Sequence, residues 1–403
     1  MTRRQLIGPG VVAILMVSVL AFVAASPLGT DPSVPPGSSD ALATIGPTGT
    51  PRPEPKHEVY GFLPYWEMDD SIADHVNETE LTTLGLFSVT NERDGSLDTG
   101  QNGYKRITSD LGARLIKDAH ERGTRVELVF TSFGSTRNDR LFGSEELQDA
   151  TIDSLVALAT DLGVDGINVD AEQLGLENIP AYAGFVTRLR AAAVAANPDA
   201  QVSVATTAGP TGAAMAAAAS AAGADRIFLM GYDYRTGGSA PGASAPLDRR
   251  DGEQDLVWSL DLYEALGVPV ERTILGLPLY GITWPVAGPA LGEVQVGEGD
   301  TWFPNDNLGV LASPPVPPET DQQEQVEFYA IPPADGATPD PSDGSPAEGW
   351  RAVYVDSAAT LTPKLALANE RGLAGAGFWA IGYERGQPDL TALIARFRAG
   401  ELE

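Results

Sequence analysis

The chain has 403 residues, of which 43% are hydrophobic and 20% charged, enough for one large domain or two ordinary ones. Its formal net charge of −29 argues against nucleic acid and anionic membrane surfaces as partners, because both would repel a polyanion. Cysteine is absent, which excludes disulfides, thiol chemistry and cysteine-bound metals. The three histidines (His57, His75 and His120) lack metal-ligand spacing, so we predict no metal site and no cofactor, and carboxylates remain as the obvious reagents.

Residues 1–25 are typical of a secretory signal peptide. Arg3 and Arg4 precede an apolar run from Val11 to Ala25 that ends in small residues. An uncleaved membrane anchor is the alternative, because the apolar stretch over residues 6–25 approaches the roughly 20 residues that span a bilayer. In either case we expect the body of the protein to be exported, as a secreted protein or tethered to the cell surface.

Residues 26–57 are rich in Pro, Gly, Ser and Thr. Such a composition cannot bury enough apolar surface to order itself. We therefore predict a disordered linker between the N-terminal segment and a body that begins at residue 58.

From residue 58 to the end, short β-rich apolar runs alternate with helix-like stretches. The predicted strands are Val59–Leu63, Leu84–Val89, Val126–Phe130, Gly166–Asp170, Val202–Thr206, Ile227–Met230, Ile274–Leu277 and Ala376–Ala380. The predicted helices are Asp110–Arg122, Glu145–Leu162, Ile179–Ala196, Thr211–Ala222, Asp255–Leu266 and Ala358–Arg371. We place no helix in the irregular first connection, Met68–Glu80.

Eight strands alternating with helices predict an α/β fold of the (β/α)8 barrel type, with the active site at the C-terminal ends of the strands. A doubly wound open sheet is the alternative. It would need a Gly-rich, phosphate-binding turn after the first strand, and the segment Gly61–Trp66 contains nothing of that kind. The pattern therefore favours the barrel.

The connection between the seventh and eighth strands is too long for an ordinary loop. We predict a small α+β insertion over residues 284–355, with a mobile Pro/Asp/Gly loop in it. On the catalytic side, such an insertion would deepen a groove into a cleft.

The fourth predicted strand is the most informative stretch of the chain. In a strand, Ile167 and Val169 point to one face, while Asn168, Asp170 and Glu172 point to the other. Burying such a polar row without partners is costly, so packing alone does not explain it. We expect a strand that opens into an active site, with Asp165, of opposite parity, as a structural turn residue. The alternative is a strand that runs out into a solvated acidic loop.

Aromatic and polar residues collect at the predicted C-terminal strand ends. They are Tyr65 and Trp66, Ser88 and Asn91, Asp170 and Glu172, the run Met230-Gly231-Tyr232-Asp233-Tyr234, and Phe378 with Trp379. Aromatic rings suit the C–H faces of sugars, and carboxyl groups suit hydroxyl and glycosidic oxygens. The sequence therefore predicts a carbohydrate site.

The fourth-strand stretch resembles the glycoside hydrolase family 18 signature Asp-x-x-Asp-x-Asp-x-Glu, with Asn168 at its second acidic position. The run from Met230 to Asp233 resembles that family's sixth-strand motif, and Trp379 matches the tryptophan beneath its sugar subsite. The resemblance covers residues 58–399. Within the family, the first and last strands look most like the bacterial branch that includes spore and cell-wall peptidoglycan N-acetylglucosaminidases.

The resemblance implies a retaining, substrate-assisted hydrolysis of β-1,4 bonds next to N-acetylglucosamine. Glu172 would be the acid and then the base, kept protonated by the nearby Asp170. Asp170 would bind the acetamido N–H and stabilise the oxazolinium, Tyr232 would hold the acetamido oxygen, and Asp233 would lie near the acid. Trp379 would form the floor of the sugar site, and the expected binding residues around it are Tyr65, Trp66, Met230 and Tyr234.

Asn168 departs from the family pattern because an amide cannot share a proton with Asp170. We interpret it as a tolerated variant whose side chain donates a hydrogen bond to Asp170. The alternative is a barrel that binds carbohydrate without cutting it. The substrate stays open between chitin, chito-oligosaccharides and peptidoglycan glycan strands, and we expect a monomer.

Overall fold

A computed structural model describes residues 54–333 and 349–402. The predicted signal or anchor segment, the linker up to residue 53 and most of the predicted Pro/Asp/Gly loop lie outside these residues. Within them, no helix is both long and apolar enough to cross a membrane. At the end of the predicted linker, the backbone N–H groups of Lys56 and His57 donate to the Arg398 carbonyl at 2.9 and 3.4 Å, and the His57 ring stacks on Phe397.

Eight parallel strands form a closed barrel in the order β1-β13-β7-β6-β5-β4-β3-β2, which confirms the predicted (β/α)8 architecture. The barrel strands are β1 (Glu58–Pro64), β2 (Thr83–Val89), β3 (Arg125–Phe133), β4 (Gly166–Glu172), β5 (Gln201–Thr207), β6 (Arg226–Met230), β7 (Thr273–Pro278) and β13 (Gly375–Trp379). All eight predicted strands lie at their predicted positions. Closure leaves the barrel without an exposed strand edge.

The helices surround the barrel and follow the expected alternation. They are α1 (Ile72–Glu78), α2 (Asn102–Ile107), α3 (Asp110–Glu121), α4 (Ser135–Phe142), α5 (Glu145–Leu162), α6 (Ile179–Ala196), α7 (Pro210–Ala221), α8 (Leu256–Ala265), α9 (Leu308–Ala312), α10 (Ala358–Glu370) and α11 (Pro388–Arg398). Local signals set their ends. Ser144 caps α5 by accepting from the Leu147 N–H at 3.3 Å, and Gly163 ends it in the left-handed region at φ 69°.

The first connection, in which we placed no helix, contains α1 over Ile72–Glu78. Its capping residue, Ser71, makes no side-chain capping bond, and the helix has only 7 residues, so local signals are weak. Burial of Ile72, Ala73 and Val76 against the barrel holds it in place. Tertiary packing therefore decides this segment.

Large side chains fill the barrel interior. The inner cluster consists of Tyr60, Phe62, Phe87, Val129, Ala205, Phe228, Met230 and Ile274. Two glycines on neighbouring strands make room for its central ring, since a Cβ at Gly276 or Gly377 would lie 2.3 or 2.4 Å from Phe228. The interior is thus a packed floor beneath the C-terminal mouth.

The insertion after β7 is a five-stranded antiparallel sheet in the order β10-β11-β12-β8-β9. Its strands are β8 (Gly281–Val286), β9 (Asp300–Trp302), β10 (Glu319–Asp321), β11 (Val326–Ile331) and β12 (Trp350–Val355). Trp284, Phe328 and Tyr354 pack together as its buried core. The short α9 is its only helix of the α type among residues 281–333 and 349–355, so the α+β insertion is mainly a sheet.

Candidate active site

A cavity of about 850 Å³ opens at the C-terminal ends of the barrel strands. Residues of β1 to β6 and of β13, with the loops that follow them, line it. This is the size range and the position expected for a ligand pocket in such a barrel. The described residues of the insertion do not line it. Instead, Asn305 and Phe303 of the insertion contact the chain after β13.

The polar row of β4 lies on the inner face, as its parity predicts. Asn168 and Asp170 are buried, Glu172 is half-buried, and Asp170 and Glu172 line the cavity. Ile167 and Val169 point outward into the layer between strands and helices. Asp165 is structural, because its carboxylate accepts from the Val126 N–H at 2.7 Å and contacts His120 at 2.8 Å.

Burial raises the pKa of Asp170 well above its usual range, and the neighbouring Glu172 carboxyl raises it further. Its Oδ1 atom is buried without a hydrogen-bond partner among the described residues. A buried carboxyl group with a vacant acceptor suits a ligand N–H.

Burial is also the largest cause of the raised pKa of Glu172, and Asp233 adds to it. The sequence predicted a protonated Glu172 but named Asp170 as the cause. Burial acts first, and an acid in the loop after β6 adds to it, while the charge interaction between Glu172 and Asp170 raises the pKa of Asp170. A half-buried carboxyl group with a raised pKa has the properties of a general acid.

Asp233 follows β6 in the left-handed backbone region, at φ 60°, a conformation that aspartate tolerates better than most residues. Its carboxylate accepts a hydrogen bond from the Tyr280 hydroxyl, and its N–H donates to Ser244 Oγ at 3.0 Å. The surrounding protein desolvates this carboxyl group and raises its pKa, although part of the residue surface stays exposed at the cavity opening. Tyr280, which the sequence did not identify, thus helps to hold the Asp233 carboxylate in place.

Tyr232 lines the cavity beside these acids. Its ring lies 6.3 Å from that of Tyr280 in an edge-on arrangement. Burial raises its pKa well above the usual value, so its hydroxyl stays a hydrogen-bond donor at neutral pH. Tyr234 also lines the cavity, but its hydroxyl donates to Ser259 Oγ at 2.6 Å on α8.

Trp379, at the end of β13, is half-buried at the floor of the cavity, where it packs edge-on against Phe87 at 4.7 Å. Tyr65 and Trp66 line the rim, and the Trp66 indole N–H donates to the Tyr383 hydroxyl at 3.0 Å. Because Trp66 is 49% exposed, its ring face is accessible. Met230 also lines the cavity, from the inner cluster.

The two residues predicted at the end of β2 behave differently. Ser88 lines the cavity and shares a hydrogen bond with Thr131 at 3.2 Å. Asn91 does not line it, and its amide donates to the Glu92 carbonyl at 3.0 Å. The strand register shifts between Phe87 and Val89, so strand parity past that point no longer predicts direction.

The prediction that the Asn168 side chain donates a hydrogen bond to Asp170 was wrong. Its amide N–H donates to Ser203 Oγ on β5 at 2.7 Å, and not to Asp170. Its Oδ1 atom is buried without a partner among the described residues. Asn168 therefore lies beneath the cavity, which it does not line.

Several further residues line the cavity and were not predicted from the sequence: Gln101, Phe133, Thr207, Arg249, Glu253 and Gln254. Strand parity could have found Phe133, which ends the inward row of β3 and is 44% exposed. Arg249, Glu253 and Gln254 lie in the loop between β6 and α8, where no periodicity exists. Within residues 54–333 and 349–402, no group of three His, Asp or Glu side chains is arranged to hold a metal ion.

The family model of glycosyl hydrolases family 18 matches residues 58–384. The class V chitinase CHIT5 of Lotus japonicus is 29% identical over 125 residues, which are 30% of this chain and only 28% of that chitinase.

Among the solved structures that resemble this chain, two illustrate the range of relatives. The spore cortex-lytic enzyme SleL of Bacillus cereus has a TM-score of 0.67 at 18% identity, over 86% of this chain and 76% of SleL. A chitinase of the same family from Cycas revoluta, in complex with (GlcNAc)3, has a TM-score of 0.69 at 17% identity, over 84% of this chain and 99% of that one. At such low identity, the likeness to these two structures shows a shared fold.

Proposed function

Because this chain belongs to glycosyl hydrolase family 18 and is a glycosidase, we propose that it cleaves β-1,4 bonds next to N-acetylglucosamine by a retaining, substrate-assisted mechanism. The observation that carries this proposal is the pair Asp170 and Glu172, two acids with raised pKa values on one cavity wall, with the Tyr232 hydroxyl beside them. No lysine or arginine forms a salt bridge with either acid in the part of the chain that the structure describes.

In the first step, the acetamido oxygen of the bound sugar attacks the anomeric carbon. Glu172 gives its proton to the glycosidic oxygen as the bond to the leaving sugar breaks, and an oxazolinium ring forms on the substrate. General acid catalysis of this kind contributes about 10²- to 10⁴-fold. The raised pKa of Glu172 keeps its proton available for this step.

Asp170 and Tyr232 act on the attacking acetamido group. The vacant Oδ1 of Asp170 accepts the acetamido N–H, and the Tyr232 hydroxyl donates to the acetamido oxygen. When the sugar binds, Asp170 gives its proton to water in the cavity, and its negative charge then stabilises the positive ring. Both groups stand on rigid barrel strands or directly after them, which favours catalysis by positioning.

In the second step, Glu172, now ionised, removes a proton from water, and the water oxygen attacks the anomeric carbon. The ring opens, the acetamido group is restored, and Glu172 is protonated again. Two inversions at one carbon give net retention. Trp379 supports the sugar from below in both steps.

Two polymers fit the cavity chemistry, chitin-type chains and peptidoglycan glycan strands. The solved relatives include a chitinase with a bound N-acetylglucosamine trimer and an enzyme of the spore cortex. Export fits either polymer, since both lie outside the cytoplasm, and the N-terminal sequence favours export or a surface tether. The protein needs no partner chain in this proposal.

A carbohydrate-binding protein without hydrolysis is the second candidate, and Asn168 is the observation that favours it. An amide at this position cannot take a proton from Asp170. The intact set of Asp170, Glu172, Tyr232 and Asp233 favours the enzyme instead.

The test compares the full-length protein with its Glu172→Gln variant. Each is incubated with chito-oligosaccharides and with purified peptidoglycan, and the products are identified by mass spectrometry and their anomeric configuration by NMR. We expect cleavage of at least one substrate with retention, and no cleavage by the variant. Binding without cleavage by both proteins would replace the enzyme with the carbohydrate-binding protein.

A further inference from the structure

A buried acid lies one layer below the cavity and takes no part in the mechanism above. Glu127, on β3, is 1% exposed and does not line the cavity. It reaches past β4 because its neighbour there, Gly166, has no side chain, and a Cβ on Gly166 would lie only 3.3 Å from Glu127 Cγ. The carboxylate thereby meets Ser203 on β5 and Tyr60 on β1.

Glu127, Ser203, Tyr60 and Asn168 form a hydrogen-bonded cluster in which every bond has a fixed donor and acceptor. Ser203 Oγ donates its only hydrogen to Glu127 Oε2 at 2.5 Å, and the Tyr60 hydroxyl donates to the same oxygen at 2.8 Å. Ser203 Oγ can then only accept from Asn168, and it does so from Nδ2 at 2.7 Å. Glu127 thus determines which end of the Asn168 amide faces Ser203.

The other end of the Asn168 amide has no partner. Asn168 Oδ1 and Asp170 Oδ1 are both buried oxygens without a hydrogen bond among the described residues. The two side chains are successive members of the inward row of β4. A proton on Asp170 would supply the donor that this pair of acceptors lacks, and buried acceptors without a donor are costly.

We propose that Glu127 is a positioning residue that, through Ser203, turns the Asn168 amide oxygen towards Asp170 and so holds the Asp170 proton in the resting enzyme. The proposal deepens the glycosidase function and rests on it. It gives this chain a way to keep Asp170 protonated without an acid at position 168. The carboxyl group that the family places beside Asp170 is replaced by an amide whose direction a deeper acid fixes.

The charged and titratable groups around the two acids are consistent with this arrangement. Burial and Glu172 raise the pKa of Asp170, which is the direction required for a proton held at rest. The groups that interact electrostatically with Asp170 are Glu172 on β4, Tyr60 on β1, Tyr182 on α6 and Tyr232 after β6. Those that interact with Glu127 are Tyr60, Arg125, Glu58 and Arg226, and burial raises the pKa of Glu127.

Two substitutions break the orientation, and one keeps it. Ser203→Ala removes the acceptor for Asn168, and Glu127→Met removes the acceptor for Ser203, so both free the amide to turn its N–H towards Asp170. An N–H donor favours an ionised carboxyl group and lowers its pKa. Glu127→Gln keeps an acceptor oxygen for Ser203 while removing the charge, so it is the matched control.

The experiment is a ¹³C NMR titration of the Asp170 carboxyl group in the full-length protein and in the three variants, assigned with Asp170→Asn. We expect Asp170 to titrate at lower pH in Ser203→Ala and Glu127→Met than in the wild type, and unchanged in Glu127→Gln. In parallel, kcat should fall about tenfold to hundredfold in the first two variants, because the Asp170 side chain loses its fixed position. KM should change little, because the cluster does not touch the cavity.

An unchanged Asp170 titration in Ser203→Ala would overturn the proposal, as would an equal shift in Glu127→Gln and Glu127→Met, which would assign the effect to charge. If Glu127→Met fails to fold, Ser203→Ala with Glu127→Gln still decides it. The titration needs no substrate. A protein that cleaves nothing would therefore refute the proposed function and leave the orientation of Asn168 to be judged by NMR.

Discussion

Two sets of acids in this protein differ in whether they have a cationic partner. Asp170 and Glu172 at the barrel mouth have no salt bridge within the described part of the chain. Acids that support the insertion have close cationic partners, with Glu324 at 2.6 Å from Arg235 and Asp356 at 2.6 Å from Lys364. Glu324, Asp356 and Asp170 are all buried, with exposed fractions of 0%, 8% and 4%.

Glu324 and Asp170 differ in pKa direction although both are buried, whereas burial raises the pKa of Asp356 despite the opposing charge of Lys364. Burial acts to raise the pKa of Glu324, but the hydrogen bond and charge of Arg235, together with Arg250, outweigh it and leave the pKa lowered. Asp170 has no such cation, and its pKa is raised. Arg235 and Arg250 thus favour the ionised form of Glu324, whereas Asp170, which has no cationic partner among the described residues, has a raised pKa.

The largest effect we expect from the first set is the loss of the general acid. Glu172→Gln keeps the shape of the side chain but has no proton to give, so kcat should fall by about 10²- to 10⁴-fold. Steady-state kinetics on a soluble oligosaccharide measures it. Glu146→Gln, an exposed substitution on α5, is the control and should leave kcat unchanged. A kcat within a few fold of the wild type would remove Glu172 from its role.

Removing a cationic partner from the second set should lower the stability of the protein and leave kcat unchanged. Lys364→Met leaves Asp356 buried and unpaired, which costs about 3–5 kcal/mol of unfolding free energy. Urea denaturation measures this loss, while kcat should stay near the wild-type value because neither residue lines the cavity.

The matched control for Lys364→Met is the double variant Asp356→Asn, Lys364→Met. It removes both charges, and it should recover most of the lost stability. A single variant as stable as the wild type would contradict the view that Lys364 keeps Asp356 satisfied.

The sequence predicted what depends on local period and missed what depends on contacts between distant strands. The inward row of Asn168, Asp170 and Glu172 follows from strand alternation, and the eight strands follow from their apolar runs. The hydrogen-bond partner of Asn168 is Ser203, 35 residues further on, and no local pattern identifies it. Glu127 did carry a signal, as a lone acid at an inward position of an apolar strand.

The same reason explains the errors near the cavity. Burial and Asp233, which lies at another strand end, both raise the pKa of Glu172, and the two-residue spacing of β4 indicated neither. The strand register shift redirects Asn91. The β6–α8 loop, with Arg249, has no period from which its place at the cavity could be read.

Asp170 and Glu324 should make the stability of the folded protein depend on pH in opposite directions. Because the folded pKa of Asp170 is raised above its unfolded value of about 3.9, the folded state binds more protons as pH rises above that value. The stability linked to this group is present below the unfolded pKa and is lost as pH rises through the folded pKa. Asp170→Asn removes this loss and should melt at a higher temperature than the wild type at neutral pH, with the difference fading near pH 4.

Glu324→Gln should show the reverse. Its folded pKa is lowered, so its contribution is present above the unfolded pKa and is lost as pH falls through the folded pKa. The variant should melt below the wild type at neutral pH, with the gap narrowing in acid. Melting temperatures of Asp170→Asn and Glu324→Gln, measured from about pH 3.5 to about pH 8, test both expectations. If the two variants shifted with pH in the same direction, the contrast between Asp170 and Glu324 would be contradicted.

The smallest expected effect concerns the departure from the family pattern. Asn168→Asp places a third acid beside the site pair, one that can share a proton with Asp170 where the amide cannot. Ser203, whose hydrogen goes to Glu127, then faces an oxygen and no longer an N–H donor. We expect the pH profile of kcat/KM to change in shape.

Substrate choice should not change in Asn168→Asp, because Asn168 does not line the cavity. The ratio of kcat/KM for two oligosaccharides of different length, measured across the pH range, separates the two effects. A profile that superimposes on the wild type would mean that the proton of Asp170 is controlled from Glu172 alone. A changed substrate ratio would place residue 168 in contact with the sugar, against the geometry of β4.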